Sequence, residues 1–226
     1  MNWIIILAGG SGSRVGKNIN KVFLKLKNKT IIEWNIFKLE KIKKVDKILI
    51  SIKQDDFKKL QKIITKNNYK KIENILVFEG SRQERIGNVI NYLSKKAKPD
   101  DLLAFHNAAN PLFDEKEIEA VLKAGKKYGA ALLAMRVTDT IKIVNKNGLV
   151  TDSPLRDFCF AAQTPQVAKY KFYKKAIEKA KKDKFEGTDD SQLIARIGIK
   201  PKIVECSKNN FKITYLEDLK RAKKII

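Results

Sequence analysis

The sequence predicts an α/β protein built on a mostly parallel, twisted sheet with helices on both faces. Three observations carry this expectation. Short apolar runs alternate with longer amphipathic ones from the first residues to beyond position 130. Hydrophobic residues make up 43% of 226 residues, enough for one sizeable core and too many for a chain that is mainly disordered. A glycine-rich turn follows directly on the first apolar run, and such sheets bind ligands at the carboxyl ends of their strands.

Taken in order, Asn2 to Leu7 reads as a buried strand. It is too short to span a bilayer, Gly9 and Gly10 follow at once, and it lacks the basic flank and cleavage pattern of a secretion signal. The expectation is a cytoplasmic protein without a membrane partner. Ile31 to Glu40 predicts a helix, Lys47 to Ile52 a strand, Asp55 to Thr65 a helix and Asn74 to Phe78 a strand. Gln83 to Lys96 predicts a helix, Leu102 to His106 a strand, Glu115 to Tyr128 a helix and Ala130 to Arg136 a strand. Thr140 to Thr164 breaks the alternation with Gly148, Asp152, Pro154 and extended segments, and reads as an excursion from the sheet. Asp189 to Ile197, Lys202 to Glu205 and Glu217 to Ile226 return as helix, strand and helix. Nothing resembles an internal repeat or a Gly/Pro/Ser-rich linker. Residues 1–226 are expected to form one domain with an arm at about 138–164.

The net charge of +23 raises the possibility of a nucleic-acid partner. Only seven of the 48 basic residues are arginine (Arg14, Arg82, Arg85, Arg136, Arg156, Arg196, Arg221), although arginine is the better residue for reading bases and gripping phosphates. The lysines are spread along the chain and interleaved with apolar positions, as on solvated helix faces. No nucleic acid is expected. Cys159 and Cys206 are isolated and read as free thiols.

The strongest local signal is Leu7-Ala8-Gly9-Gly10-Ser11-Gly12-Ser13-Arg14, with Lys21 seven residues further on. Glycines after a strand let backbone N–H groups approach phosphate oxygens, and Arg14 and Lys21 add the charge that a triphosphate needs. The pattern is neither a Walker A loop nor a dinucleotide fingerprint. His106 is the only histidine and reads as structural rather than as a base. Thr188-Asp189-Asp190-Ser191 suits a helix cap as well as a site. Thr164-Pro165 can end a strand, and Arg82 and Arg85 can lie on a first-turn face.

Further segments follow in a fixed order: Gly80-Ser81-Arg82-Gln83-Glu84, His106-Asn107-Ala108-Ala109-Asn110-Pro111, Val137 to Lys142, Gln163 to Gln166, Thr188 to Ser191, and Lys212-Ile213-Thr214. Together with the glycine turn they resemble the 2-C-methyl-D-erythritol 4-phosphate cytidylyltransferase family, and also the related ribitol-5-phosphate cytidylyltransferases. The resemblance implies a Rossmann-like nucleotidyltransferase fold, a homodimer exchanging β-arms, CTP and a polyol phosphate as substrates, and Mg²⁺. It implies that Ala8, Gly9, Gly10 and Gly12 cradle the nucleotide, and that Arg14, Lys21 and Lys212 hold its phosphates. Gly80 and Arg82 would lie near the cytosine, with Arg85 where the family usually has serine. Thr140, Arg156 and Thr164 would reach the acceptor in the partner's site. Two residues depart from the pattern. Asn107 stands where the family has an aspartate expected at the metal or nucleotide, and an amide is the weaker Mg²⁺ ligand. Asn110 stands where the family has an arginine near the acceptor. Asp189 or Asp190 could share the metal role.

The implied chemistry needs little base catalysis, because a phosphate monoester is already an anionic nucleophile. Its oxygen attacks the α-phosphorus and pyrophosphate leaves. The obstacle is repulsion between polyanions, so positioning and positive charge should carry the rate. A non-catalytic nucleotide-binding homologue remains the alternative that Asn107 keeps open.

Overall fold

In a computed structural model, residues 1–10 and 20–226 are described. Gly12 and Arg14, both singled out above, lie outside the described residues. The chain runs β1 (Asn2–Leu7), β2 (Lys25–Leu26), β3 (Lys29–Thr30), α1 (Ile31–Lys41), β4 (Lys47–Ile52), α2 (Gln54–Asn67), β5 (Ile72–Val77) and α3 (Arg82–Tyr92). It continues through β6 (Leu102–Asn107), α4 (Glu115–Tyr128), β7 (Ala130–Arg136), β8 (Ile143–Val144), β9 (Val150–Asp152) and β10 (Phe160–Lys169). It ends with α5 (Tyr170–Lys182), α6 (Asp190–Ala195), β11 (Lys202–Glu205) and α7 (Leu216–Ile225). The main sheet of the described residues has seven strands in the order β11-β7-β10-β6-β1-β4-β5. β10 runs antiparallel to β6 and β7, and the other neighbours are parallel.

The continuous apolar run of β1 is explained by its central place, since both faces are covered. Ile4 and Ile6 face a core shared with α1, α2 and α4 through Ile36, Leu39, Leu60 and Val121. Trp3 and Ile5 face the opposite core, shared with α3 and α5 through Ile86, Val89, Tyr173 and Ile177. Each such buried side chain contributes roughly 1.5–3 kcal/mol. Capping boxes start α1 (Thr30, Glu33), α3 (Ser81, Glu84) and α4 (Asp114, Glu117).

The structure corrects the sequence reading in the second half. The chain leaves the sheet after Arg136 and returns at Phe160, which pairs with Arg136 in register. The excursion therefore ends before Thr164, which is a buried residue of β10 and not part of an exposed arm. The arm is the β8–β9 ribbon and the segment to Cys159, with Ile143, Val144, Leu149, Val150, Leu155 and Phe158 exposed. α5 lies where no element was assigned, and the helix expected to reach Lys96 ends as a 3-10 turn at Leu93–Lys95.

Candidate active site

The first strand ends in a braced turn. The Ala8 N–H donates to Ser51 O at 2.8 Å, and the Ala108 N–H donates to Leu7 O at 3.0 Å, so the ends of β4, β1 and β6 are tied side by side. Asn20 Nδ2 donates to Ala8 O and to Asp56 Oδ2, both at 2.8 Å. That amide returns the chain to the strand end and sets Lys21, itself buried, against the cleft. The Ile213 N–H donates to Ala109 O at 2.8 Å, which brings Lys212 in from the last third of the sequence.

These segments enclose a cleft of about 290 Å³. Leu7, Ala8, Gly9, Gly10, Asn20, Lys21 and Val22 form one part of its wall. Gly80, Arg82 and Arg85 form another, and Asn107, Ala109 and Lys212 a third. The structure thus gathers nine of the proposed site residues, including the cations Lys21, Arg82, Arg85 and Lys212, and no acidic side chain is among the described lining residues. Gly80 has φ +141°, and a Cβ there would meet Glu84 Oε2 at 2.6 Å, so glycine is needed for the chain to enter the α3 cap.

Arg82 organises the polar wall. Its Nε and Nη2 donate to the buried Asp190 carboxylate at 2.7 and 2.9 Å, and its Nη1 donates to Asn107 Oδ1 at 2.6 Å. Burial disfavours the guanidinium charge, the Asp190 carboxylate favours it, and the balance raises the Arg82 pKa. Burial lowers the Arg85 pKa against the opposing pull of Glu79. Beneath Asn107, the Thr164 hydroxyl accepts from the Asn107 N–H at 3.1 Å and lies 3.2 Å from His106 Nδ1. His106 is fully buried, with Nε2 2.8 Å from Asn35 Oδ1 and 3.0 Å from Asn110 O. Burial pulls its pKa down to about 4, so the ring is neutral at pH 7 and is structural, as its isolation suggested.

Four expectations about individual residues change. Thr164 is buried and supports Asn107 in its own chain, its hydroxyl engaged by the Asn107 N–H and His106. Asn110 is fully buried and outside the cleft lining; its Nδ2 donates to Gln163 Oε1 at 3.2 Å and to Asn210 O at 3.4 Å. Asp190 is spent on Arg82. Asp189 is spent on Ser191, Gln166 and the α6 N-terminus, so neither carboxylate is offered to a metal. Thr140 and Arg156 are exposed on the arm, where Arg156 Nη1 donates to Thr138 O at 3.2 Å. Sequence reasoning missed Asn20, Asp56 and Ser51, whose roles depend on contacts across the sheet.

The donor set does not fit a protein-held Mg²⁺. Mg²⁺ prefers carboxylate oxygens, and no group of three or more His, Cys, Asp or Glu able to hold a metal occurs among the described residues. The expected weak ligand, Asn107 Oδ1, is engaged by Arg82. The cleft is arranged for an anion.

The pattern of the family described as "IspD: 2-C-methyl-D-erythritol 4-phosphate cytidylyltransferase" matches residues 3–226. The 2-C-methyl-D-erythritol 4-phosphate cytidylyltransferase of Clostridioides difficile (strain 630) is 39% identical over 225 residues, covering 99% of this chain and 92% of that protein. The protein of the same description from Petrotoga mobilis is 34% identical, covering 99% and 97%. The structure of the Francisella tularensis 2-C-methyl-D-erythritol 4-phosphate cytidylyltransferase superposes with a TM-score of 0.79 at 30% identity, over 100% and 99% of the two chains. The 4-diphosphocytidyl-2C-methyl-D-erythritol synthase of Anaerococcus prevotii gives a TM-score of 0.84 at 28% identity, over 99% and 94%. With a cationic cleft at the strand ends of a Rossmann-like sheet, and a match that spans all but the first two residues, this chain belongs to the 2-C-methyl-D-erythritol 4-phosphate cytidylyltransferase family.

Proposed function

We propose that this chain transfers the cytidylyl group of CTP to the phosphate of 2-C-methyl-D-erythritol 4-phosphate and releases pyrophosphate, a step of isoprenoid precursor synthesis. The observation that carries the reading is the cleft itself, which joins a glycine turn to four cations in a chain of this family. An acceptor phosphate oxygen forms a bond to the α-phosphorus as the bond to the bridging oxygen breaks, and the electron pair leaves with pyrophosphate. Lys21 and Lys212 offset the repulsion between the two anions, and Arg82, locked by Asp190, holds a fixed charge beside them. Mg²⁺ belongs to this reading as an ion carried by the nucleotide's own phosphates, since no group of three or more His, Cys, Asp or Glu able to hold a metal occurs among the described residues. The enzyme works in the cytoplasm as a homodimer, without nucleic acid or membrane; no helix of the described residues is long and apolar enough to cross a membrane.

The test is pyrophosphate release from CTP and Mg²⁺ with a panel of polyol phosphates that includes ribitol 5-phosphate. Turnover is expected with 2-C-methyl-D-erythritol 4-phosphate. Removal of either cation, in Lys21→Ala or Lys212→Ala, should lower kcat/KM by about 10²–10³. Turnover with ribitol 5-phosphate alone would replace the acceptor, and CTP binding without turnover on any acceptor would mark a non-catalytic homologue.

A further inference from the structure

Lys21 reaches the cleft on a turn that is fastened from outside it. Asn20 is the N-cap of the 3-10 turn Lys21–Phe23, so Lys21 is the first residue that this cap places. Both ends of the Asn20 side-chain amide are engaged. Nδ2 gives its two hydrogens to Ala8 O and Asp56 Oδ2, and Oδ1 accepts from the Val22 N–H at 3.3 Å. Asp56 stands in the first turn of α2, 6% exposed and outside the lining of the cleft. From there it makes no contact with a bound ligand, and any part it plays in the reaction passes through Asn20.

The junction of β4 and α2 holds Ala8 by both of its backbone groups. Ser51 O takes the Ala8 N–H directly, and Asp56 secures the amide that binds the Ala8 C=O. A second contact from α2 meets the far end of the turn, where Lys59 Nζ lies 5.8 Å from the centre of the Phe23 ring. The choice of a carboxylate at position 56 follows from its hydrogen bonding. A carboxylate only accepts, as does Ala8 O, so the amide must turn its donating end to both. Rotated end for end, Asn20 would set Oδ1 against two acceptors and face the Val22 N–H with a donor, three mismatches in a buried place. One orientation remains, and it is the one that caps the turn bearing Lys21.

We propose that Asp56 is a positioning residue for the transfer reaction, holding Lys21 at the phosphates by fixing the Asn20 amide. The proposal rests on the transferase reading above and names a residue of α2 on which the grip of Lys21 depends. With alanine at position 56, one Asn20 hydrogen loses its acceptor, the amide is free to turn, and the Lys21 backbone loses its fixed start.

The test is a cycle of variants of the full-length protein, read as kcat/KM for CTP in pyrophosphate release and as calorimetric affinity for inorganic tripolyphosphate. Asp56→Ala should lose about ten- to a hundredfold in kcat/KM, the scale expected when a change away from the chemistry displaces a group that acts in it. Added to Lys21→Ala it should cause no further loss, whereas added to Lys212→Ala it should keep its full factor. A carboxylate that merely supports the fold would multiply with both. Asp56→Asn retains an acceptor oxygen and should recover most of the loss. Asp56→Ser, whose hydroxyl is one bond too short to reach the amide, takes the place of the alanine variant if that protein fails to fold. Wild-type rates in Asp56→Ala, a full further loss on Lys21→Ala, no further loss on Lys212→Ala, or no recovery in Asp56→Asn would overturn the proposal. A wild type that turns over no acceptor sinks the transferase reading separately, and the same cycle in tripolyphosphate affinity then decides whether Asp56 acts through Lys21. A wild type that binds no tripolyphosphate would refute Lys21 as a partner of phosphate, and the proposal with it.

Discussion

Asparagine at position 107 gives Arg82 a neutral partner on its cleft side. The Nη1–Oδ1 contact of 2.6 Å joins a cation to a dipole, while the ion pair of Arg82 is made to Asp190 behind it. Asn107→Asp would put a second carboxylate on the same guanidinium. CTP binding without divalent metal should then weaken by about tenfold, since a like charge close to the phosphates in a partly screened cleft costs on the order of 1 kcal/mol. The same carboxylate would attract Mg²⁺, so the variant should overtake the wild type as Mg²⁺ rises. A Mg²⁺ titration of CTP affinity compares the two, and superimposed curves would place Asn107 away from the phosphates. The single histidine provides a second, independent test. His106 has an ordinary value of 6.5 and is held at about 4 by burial in the fold. The unfolded chain therefore takes up the proton first, and stability is full above pH 6.5 and falls as the pH drops toward 4. The loss amounts to about 3 kcal/mol for a shift of this size. Because the chain has no other histidine, urea midpoints between pH 5.5 and 7 should slope in the wild type and flatten in His106→Gln. A flat wild-type profile would refute the buried, neutral ring.

At the scale of elements, α3 carries part of the cleft wall in its first turn, and its cap sets where Arg82 and Arg85 stand. The Ser81 hydroxyl accepts from the Glu84 N–H at 3.3 Å, and Glu84 Oε2 accepts from the Ser81 N–H at 2.7 Å. Ser81→Ala should cost about 1 kcal/mol in chemical denaturation, and it should weaken CTP binding because both arginines hang from that turn. Unchanged stability would show that the cap is carried by Glu84 alone. α3 was legible beforehand, as were β1, β4 and α4, because a period of 3.6 or an uninterrupted apolar run is visible without knowing the partner. β10 was not. Pro165 argues against a strand by local rules, and the pairing shifts register between Ala162 and Gln166 around it. Its place in the sheet is decided by β6 and β7 on either side, which no local pattern reports. The site divides in the same way. Gly9, Lys21 and Lys212 were found as motif residues. The burial of Asn110 and the Asn20–Asp56 brace arise from contacts between segments 36 or more residues apart, and the sequence carries no local sign of them.

For the whole molecule, the arm is the part that a single chain does not account for. Leu155 is 72% exposed and Phe158 80%, beside exposed Ile143, Val144, Leu149 and Val150 on the β8–β9 ribbon. Apolar residues gathered on a projecting ribbon mark a contact surface, and a second copy reached by both arms closes with two-fold symmetry. Phe158→Asp should then shift the protein from dimer to monomer in sedimentation. The sharper test uses two inactive proteins. If each site is the body of one chain completed by the arm of the other, Lys21→Ala disables a body and Arg156→Ala disables an arm. Mixed dimers then contain one site with both defects and one with neither. Half of the dimers in an equimolar, re-equilibrated mixture are mixed, so the mixture should regain about a quarter of the wild-type rate. If body and arm act within one chain, every site in the mixture keeps its own defect and no activity returns. An active monomer, or a mixture no faster than its components, would therefore rule out the exchanged arm.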